Sequence, residues 1–359
     1  MPTVEDAKER LDSIINKGRV DLYKPIQIAE VLRRSRLIGD INIQDTSTYQ
    51  NPSIGWRNEV TKRLLGKVST SSARYQHDVW NLTAMYPELL TILDTENKRT
   101  QGDVECYIYL RFNERQKTVA SIIAFVESTS PQDFQLSFLL DKFIKQKGIR
   151  RSIDKAYEIV TYSLFETIVV ALGTTIKVSI PSKNKELLAE FSELTCVLLG
   201  LEVGKESWEF PAHVYRVGVT NAADRGLDMW ANFGPAIQVK HLTLDNKLAQ
   251  TIIDQVESDN IVIVCRDADA DVIKVVTQQI SWGLRVRGIV RESELIEWYE
   301  RCLRGKFAEQ LAHPLMERLA NSFKSEFPQA NAIVDFLEER EYLSIPVDNL
   351  WVTEIDTIT

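Results

Sequence analysis

The chain has little with which to build a metal cluster or a disulfide framework. Its four cysteines, Cys106, Cys196, Cys265 and Cys302, show no CxxC or Cys/His spacing, so free buried thiols are expected. The four histidines, His77, His213, His241 and His313, form no ligand cluster, and His241 is expected to face away from Lys240. No apolar run approaches the roughly 18 to 20 residues that a membrane-spanning helix requires. Glu5, Asp6 and Glu9 precede any apolar stretch, which argues against a secretory signal. A cytoplasmic protein without a membrane partner is expected. There is no solenoid repeat and no low-complexity tract. What is there is an ordinary globular composition, 44% hydrophobic and 26% charged, in 359 residues, too many for one small domain.

A net charge of −8 argues at first against a nucleic-acid partner, but the charge is unevenly placed. Residues 1–150 hold 22 basic against 19 acidic side chains, and the remainder holds 21 against 32. A metal-dependent nuclease gathers carboxylates near its ion and needs only a local basic groove, so this asymmetry is compatible with DNA.

From Val4 to about Lys147 apolar residues recur every three and four positions, as on amphipathic helices. Leu11, Ile14 and Ile15 make one stripe. Ile26, Ile28, Ala29, Val31 and Leu32 make a second, with Pro25 suited to a first helical turn. Longer helices are expected over roughly 104–127 and 134–147. Ser152 opens a further helix ending at Gly173. The pattern then becomes mixed: a strand at Ile176–Ile180, a helix over 185–199, and strands at Val214–Val219, Leu227–Ala231 and Ala236–Leu242. A helix over 246–256, a strand at Ile261–Val264, a helix over 272–282 and a strand at Val286–Val290 follow. Helices close the chain from Glu292. This is α/β order with a mixed sheet. It divides into a helical recognition region (1–150), an α/β core (151–304) and a helical extension (305–359).

Within the core, Arg225-Gly226-Leu227-Asp228-Met229-Trp230 is followed by Ile237-Gln238-Val239-Lys240-His241-Leu242. Two short apolar strands would bring a carboxylate, an amide oxygen and an ammonium together. Asp228 and Gln238 would offer hard oxygens to a magnesium ion, as would the Val239 backbone carbonyl. Lys240, two residues beyond Gln238, shares its face and would set a positive charge beside an attacking water. An unpaired Asp228 at an apolar layer would be costly, so something must neutralise it. A bland alternative is a cross-strand Asp228–Lys240 salt bridge. The face argument has a condition: if Asn232–Pro235 forms the hairpin tip, only an odd-length loop or a bulge puts Asp228 opposite Gln238 or Lys240, and Gly234 makes this feasible.

A preceding helix can add a carboxylate, with Glu166 favoured over Glu158 as a further metal ligand, while Asp224 is the reserve for Asp228. Asp267, Asp269 and Asp271 do not make a calcium loop. Val272 stands where glycine is required and Gln278 where glutamate is required, so a polar turn capping a helix is expected. For double-stranded DNA the candidates are basic or hydroxyl residues in polar connections. They are Arg33, Arg34 and Arg36; Ser71, Ser72 and Arg74; Lys98 and Arg99; and Lys147, Arg150 and Arg151. Arg74, set among short hydroxyl side chains, is the preferred base reader.

The element order resembles the PD-(D/E)xK nuclease core, with glutamine in place of the commoner acidic residue. Three stretches narrow this further: Leu22-Tyr23-Lys24-Pro25-Ile26-Gln27-Ile28-Ala29-Glu30, Ser69-Thr70-Ser71-Ser72-Ala73-Arg74, and Gly226-Leu227-Asp228 with Gln238-Val239-Lys240. Together they resemble the HaeII type II restriction endonuclease family over most of the chain. The resemblance implies a homodimer cutting a short palindrome, purine-GCGC-pyrimidine, and a cognate DNA methyltransferase as genetic partner. Two competing expectations are a structure-selective repair or junction nuclease and a non-catalytic DNA-binding protein with a nuclease-like core.

Overall fold

The computed structural model describes residues 2–146, 148–200, 205, 207–217, 227–279, 281–327, 332–344 and 350–351. Lys147, Asp224, Arg225 and Gly226 lie outside them. The chain divides into two compact units, Met1–Tyr157 with Leu319–Thr359, and Glu158–Val217 with Asp224–Arg318.

The first unit is helical. It contains α1 (Val4–Lys17), α2 (Tyr23–Leu37), α3 (Pro52–Leu65), α4 (Ala73–His77), α5 (Pro87–Arg99), α6 (Asp103–Ser128) and α7 (Leu136–Lys145). A capping box between Thr3 and Asp6 starts α1. Pro52 and Pro87 stand in the first turns of α3 and α5, where a missing N–H costs nothing. The apolar stripes read from the sequence face one core. Leu11 and Ile15 of α1, Ile28, Val31 and Leu32 of α2, and Ile108 and Phe112 of α6 meet in it.

The second unit takes in most of α8 (Ile153–Ala171) and then β1 (Thr175–Ser179), α9 (Lys185–Glu190), α10 (Ser192–Leu199) and β2 (Ser207–Pro211). Next come β3 (Val214–Arg216), β4 (Met229–Ala231), β5 (Ala236–Leu244), α11 (Asn246–Gln255), β6 (Ile261–Ala268), α12 (Ala270–Thr277), β7 (Val286–Arg291) and α13 (Glu292–Arg304). Helix α14 (Ala308–Glu326) and α15 (Ile333–Glu339) complete the described elements. The main sheet has the order β3-β4-β5-β6-β7. Its first three strands are antiparallel and its last three parallel, the mixed α/β sheet expected. Strands β1 and β2 form a separate antiparallel pair.

Differences from the sequence reading are local. The helix over 185–199 breaks at Phe191 into α9 and α10. Strand β2 was not foreseen, although Trp208 and Phe210 alternate with polar neighbours. Asp269 takes the N-cap position of α12, but its side chain makes no capping bond.

On one face of the sheet, Ala236, Ile261, Ile263 and Cys265 pack under Ala249, Ile252 and Ile253 of α11 and Val272 of α12. The strands alternate, so Ile237, Val239 and Val264 project to the opposite face. Helix α13 lies against β6 and β7 and reaches α8, where the Tyr299 hydroxyl donates to the Val160 carbonyl over 2.9 Å. No helix among the described residues is long and apolar enough to cross a membrane.

Candidate active site

The hairpin between β4 and β5 sets the geometry. Ala231 N–H donates to the Pro235 carbonyl over 2.8 Å, and Gly234 N–H to the Ala231 carbonyl over 2.9 Å. Only Asn232, Phe233 and Gly234 therefore form the turn. Gly234 has φ +119°, a conformation a side chain strongly disfavours. A three-residue loop pairs Trp230 with Ala236 and Met229 with Ile237. The same register, carried one residue further, sets Asp228 opposite Gln238. The odd-length loop required by the face argument is the one present.

Assigned strand β4 begins at Met229, one residue after Asp228. The ladder nevertheless continues, because Val217 N–H donates to the Asp228 carbonyl over 2.9 Å. Asp228 Oδ2 accepts from the Val239 N–H over 2.7 Å and also from Gln238 Nε2. These donors hold the carboxylate in place beside β5.

Gln238 is only 2% exposed, and its Oε1 is buried with no hydrogen-bond partner. A buried carbonyl oxygen without a donor is costly and uncommon, so it asks for an explanation. Lys240 follows two residues along the same face, half-buried and paired across the parallel ladder with Cys265. It forms no ion pair with Asp228 among the described residues, so a cross-strand salt bridge does not explain the arrangement. Burial pushes the Cys265 thiol up to about 12, keeping it neutral beneath the lysine.

Glu166 is elsewhere. Its Oε2 accepts from Val214 N–H over 2.6 Å and its Oε1 lies 2.8 Å from His213 Nδ1. Val214 pairs with Ala231, three residues from Asp228 along β4, a separation of roughly 10 Å. The structure therefore ties Glu166 to the turn end of the hairpin instead of bringing it to Asp228. Helix periodicity gives a face, but not which end of a neighbouring strand that face meets. Among the described residues no group of three or more histidine, cysteine, aspartate or glutamate side chains is placed to hold a metal.

In the helical unit the basic candidates separate into two kinds. Arg36 makes a two-pronged ion pair with Glu105, Nε to Oε1 at 2.9 Å and Nη2 to Oε2 at 3.1 Å. Asn97 and Tyr342 also donate to that wholly buried carboxylate, each over 2.6 Å. Arg34 is held by Asp40 and lies 5.1 Å from the Trp56 ring centre. Lys98 pairs with Asp94 and Arg99 with Glu96. Unlike the exposed Arg74, Arg150 and Arg151, the Arg36 guanidinium is taken up by a buried carboxylate. Arg33 is half-buried, and Arg74, Arg150 and Arg151 are exposed. None of these four has an ion-pair partner among the described residues.

The serine-rich stretch is anchored from below. Ser72 caps α4 by accepting from Tyr75 N–H, and the Gln76 amide donates to the Ser71 carbonyl. Gln76 accepts from Arg57 over 2.6 Å. Arg57 also donates to Gln27 over 3.1 Å, and Gln27 donates to Ser53 over 2.9 Å. Burial drives the Arg57 guanidinium down to about 10, and it remains charged at neutral pH. Buried polar links thus fix the loop that presents Arg74 to solvent.

The chain belongs to the HaeII restriction endonuclease family, whose family model matches residues 7–342. It is 47% identical over 345 residues to the type II restriction enzyme HaeII of Haemophilus aegyptius, covering 95% of this chain and 98% of that protein. It is 45% identical over 341 residues to the type II restriction enzyme NgoBI of Neisseria gonorrhoeae, covering 94% and 97%. No solved structure matches the chain.

Proposed function

We propose that this chain is a type II restriction endonuclease that hydrolyses double-stranded DNA at a short palindrome, using magnesium held at Asp228 and Gln238. Family membership over nearly the whole chain carries the reaction class. The observation that carries the site is the Gln238 side-chain amide, whose Nε2 donates to the Asp228 carboxylate while its buried Oε1 has no partner. Magnesium prefers hard oxygen donors, and this pair supplies one anionic and one neutral oxygen, so the residues fit the ion. The Val239 carbonyl is a third candidate, since Val239 N–H already points at Asp228. A bound magnesium ion would lower the pKa of its water and polarise the phosphoryl group. Lys240, on the Gln238 face, would hold its ammonium near the attacking oxygen and the charge developing on phosphate.

Glu158 is a better helix candidate than Glu166. It is buried, and unlike Glu166 it is not tied to His213 and Val214. The PD-(D/E)xK comparison belongs to this reading, with Asp228, Gln238 and Lys240 in its three positions. Arg74, Arg33, Arg150 and Arg151 are the proposed DNA contacts, with Ser71 and Ser72 beside Arg74. Purine-GCGC-pyrimidine is the site the family resemblance implies, and a cognate methyltransferase would protect it.

Two copies would match a palindrome's symmetry. Exposed apolar side chains support this: Leu187 on α9, Phe191 between the helices, and Leu194 and Leu198 on α10. A second copy would cover these.

Purified protein incubated with plasmid and magnesium tests the reading. Discrete fragments from the wild type, and none from Asp228→Ala or Lys240→Ala, are expected. Cutting of branched but not linear duplex would favour a junction nuclease, and no cutting would favour a binding protein.

A further inference from the structure

Trp230 stands two residues from Asp228, and residues i and i+2 of a strand leave the same face about 7 Å apart. Tyr215 is paired directly with Trp230 across β3 and β4. Their rings stack, with centroids 4.7 Å apart and planes inclined by 25°. His213, two residues before Tyr215, continues the row at 5.9 Å. Trp230 is also paired with Ala236 of β5, so Ala236, Gln238 and Lys240 belong to this same face. One side of the sheet thus carries two stacked aromatic rings next to the carboxylate, the orphaned amide oxygen and the lysine.

Coverage of that side is uneven. Helices α11 and α12 roof it over β5 and β6. Over β3 and β4 Tyr215 remains 40% and Trp230 44% exposed. The residues alternating with them, Val214, Met229 and Ala231, are buried on the other side. The exposed rings are therefore not a frayed edge of the core. They form an exposed, face-to-face aromatic stack, the platform of this site, at the border of the polar groups.

We propose that the Tyr215–Trp230 pair receives the nucleotide adjoining the scissile phosphodiester, packing against its deoxyribose and base and so fixing the phosphate over Asp228 and Gln238. This rests on the endonuclease reading above. Continuity of the face with the proposed metal site selects the occupant, and the Lys240 charge on that face suits a phosphodiester. An aromatic face accepts any base that leaves the duplex stack, without hydrogen-bond readout, so the platform positions the strand and leaves sequence choice to the arginines. Because neither ring is buried, replacing one should cost no more than a cross-strand pair contact.

The test uses the full chain and a duplex containing the site, with the cut position mapped from product ends. Trp230→Ala and Tyr215→Ala should melt like the wild type but raise KM, and weaken DNA binding in an Asp228→Ala background, by about tenfold or more each. Trp230→Phe should retain most affinity. A duplex abasic beside the scissile phosphate should cost the wild type a similar factor and cost Trp230→Ala nothing further, since both changes remove one contact. If the wild type cuts and both alanine variants cut with unchanged KM and kcat, the platform proposal fails and the endonuclease reading stands. If the wild type cuts no duplex, the underlying reading fails instead. A wild-type dimer that falls apart on Trp230→Ala, with affinity for DNA retained, would assign the rings to a second copy and overturn the proposal.

Discussion

Two sets of buried polar groups, one in each unit, are supplied with partners to different degrees. Glu105 receives Arg36, Asn97 and Tyr342, and Glu30 receives Tyr109 and two nitrogens of Arg340, at 2.5 and 3.2 Å. These clusters bind helices distant in sequence and leave those carboxylates well supplied with donors. In the sheet unit, Asp228 is held by Val239 and Gln238, yet the Gln238 amide oxygen is left without a donor. A well-supplied buried charge fixes packing, whereas an incomplete amide next to a carboxylate leaves an oxygen that an outside ligand can engage.

The comparison breaks most visibly if its two halves are exchanged. Lys240→Ala should slow cleavage by about a hundredfold or more while leaving DNA binding and melting near the wild type, because the lysine supports charge formed during reaction. Arg36→Ala should do the reverse. It strands Glu105 without its cation and should cost about 3 kcal/mol in denaturant unfolding, with DNA affinity per folded molecule unchanged. A stable Arg36→Ala protein that fails to bind DNA would return Arg36 to the interface.

Smaller effects sharpen the contrast. Arg74→Ala should weaken binding by about 1–3 kcal/mol if the side chain reads a base, and relax discrimination at one position of the site in a cleavage assay on single-base variants. Uniform weakening with a shallower salt dependence would make it a phosphate contact. Leu198→Glu should convert a dimer to a monomer in analytical ultracentrifugation without lowering the melting temperature, and an unchanged mass would move the interface elsewhere. Gln238→Glu should be the mildest change. With no ion, two carboxylates adjoin and the fold is weakened, so added magnesium should raise the melting temperature more than in the wild type.

The sequence carried the element order well because apolar periodicity is a local signal. Helix α6 and the strand–helix alternation after Gly173 follow from neighbours within a few residues. The juxtaposition of Asp228 and Gln238 was only conditionally legible. It depended on the parity of one turn, which Gly234 permits but does not dictate. Contacts made across long separations were not legible. Arg36 reads as a surface charge until α6 brings Glu105, 69 residues away, against it. Glu166 was placed on a helix correctly, but its strand partner depended on tertiary packing. The aromatic platform was within reach, since Trp230 follows Asp228 by two, but the pairing with Tyr215 required the register of β3.

Divalent-ion binding measured by calorimetry on the wild type and on Asp228→Ala, each with uncleavable site-containing duplex, tests the central claim most directly. One magnesium-competable site per chain in the wild type, absent from Asp228→Ala although that variant still binds the duplex, is the predicted result. Equal ion binding by the two proteins would contradict it.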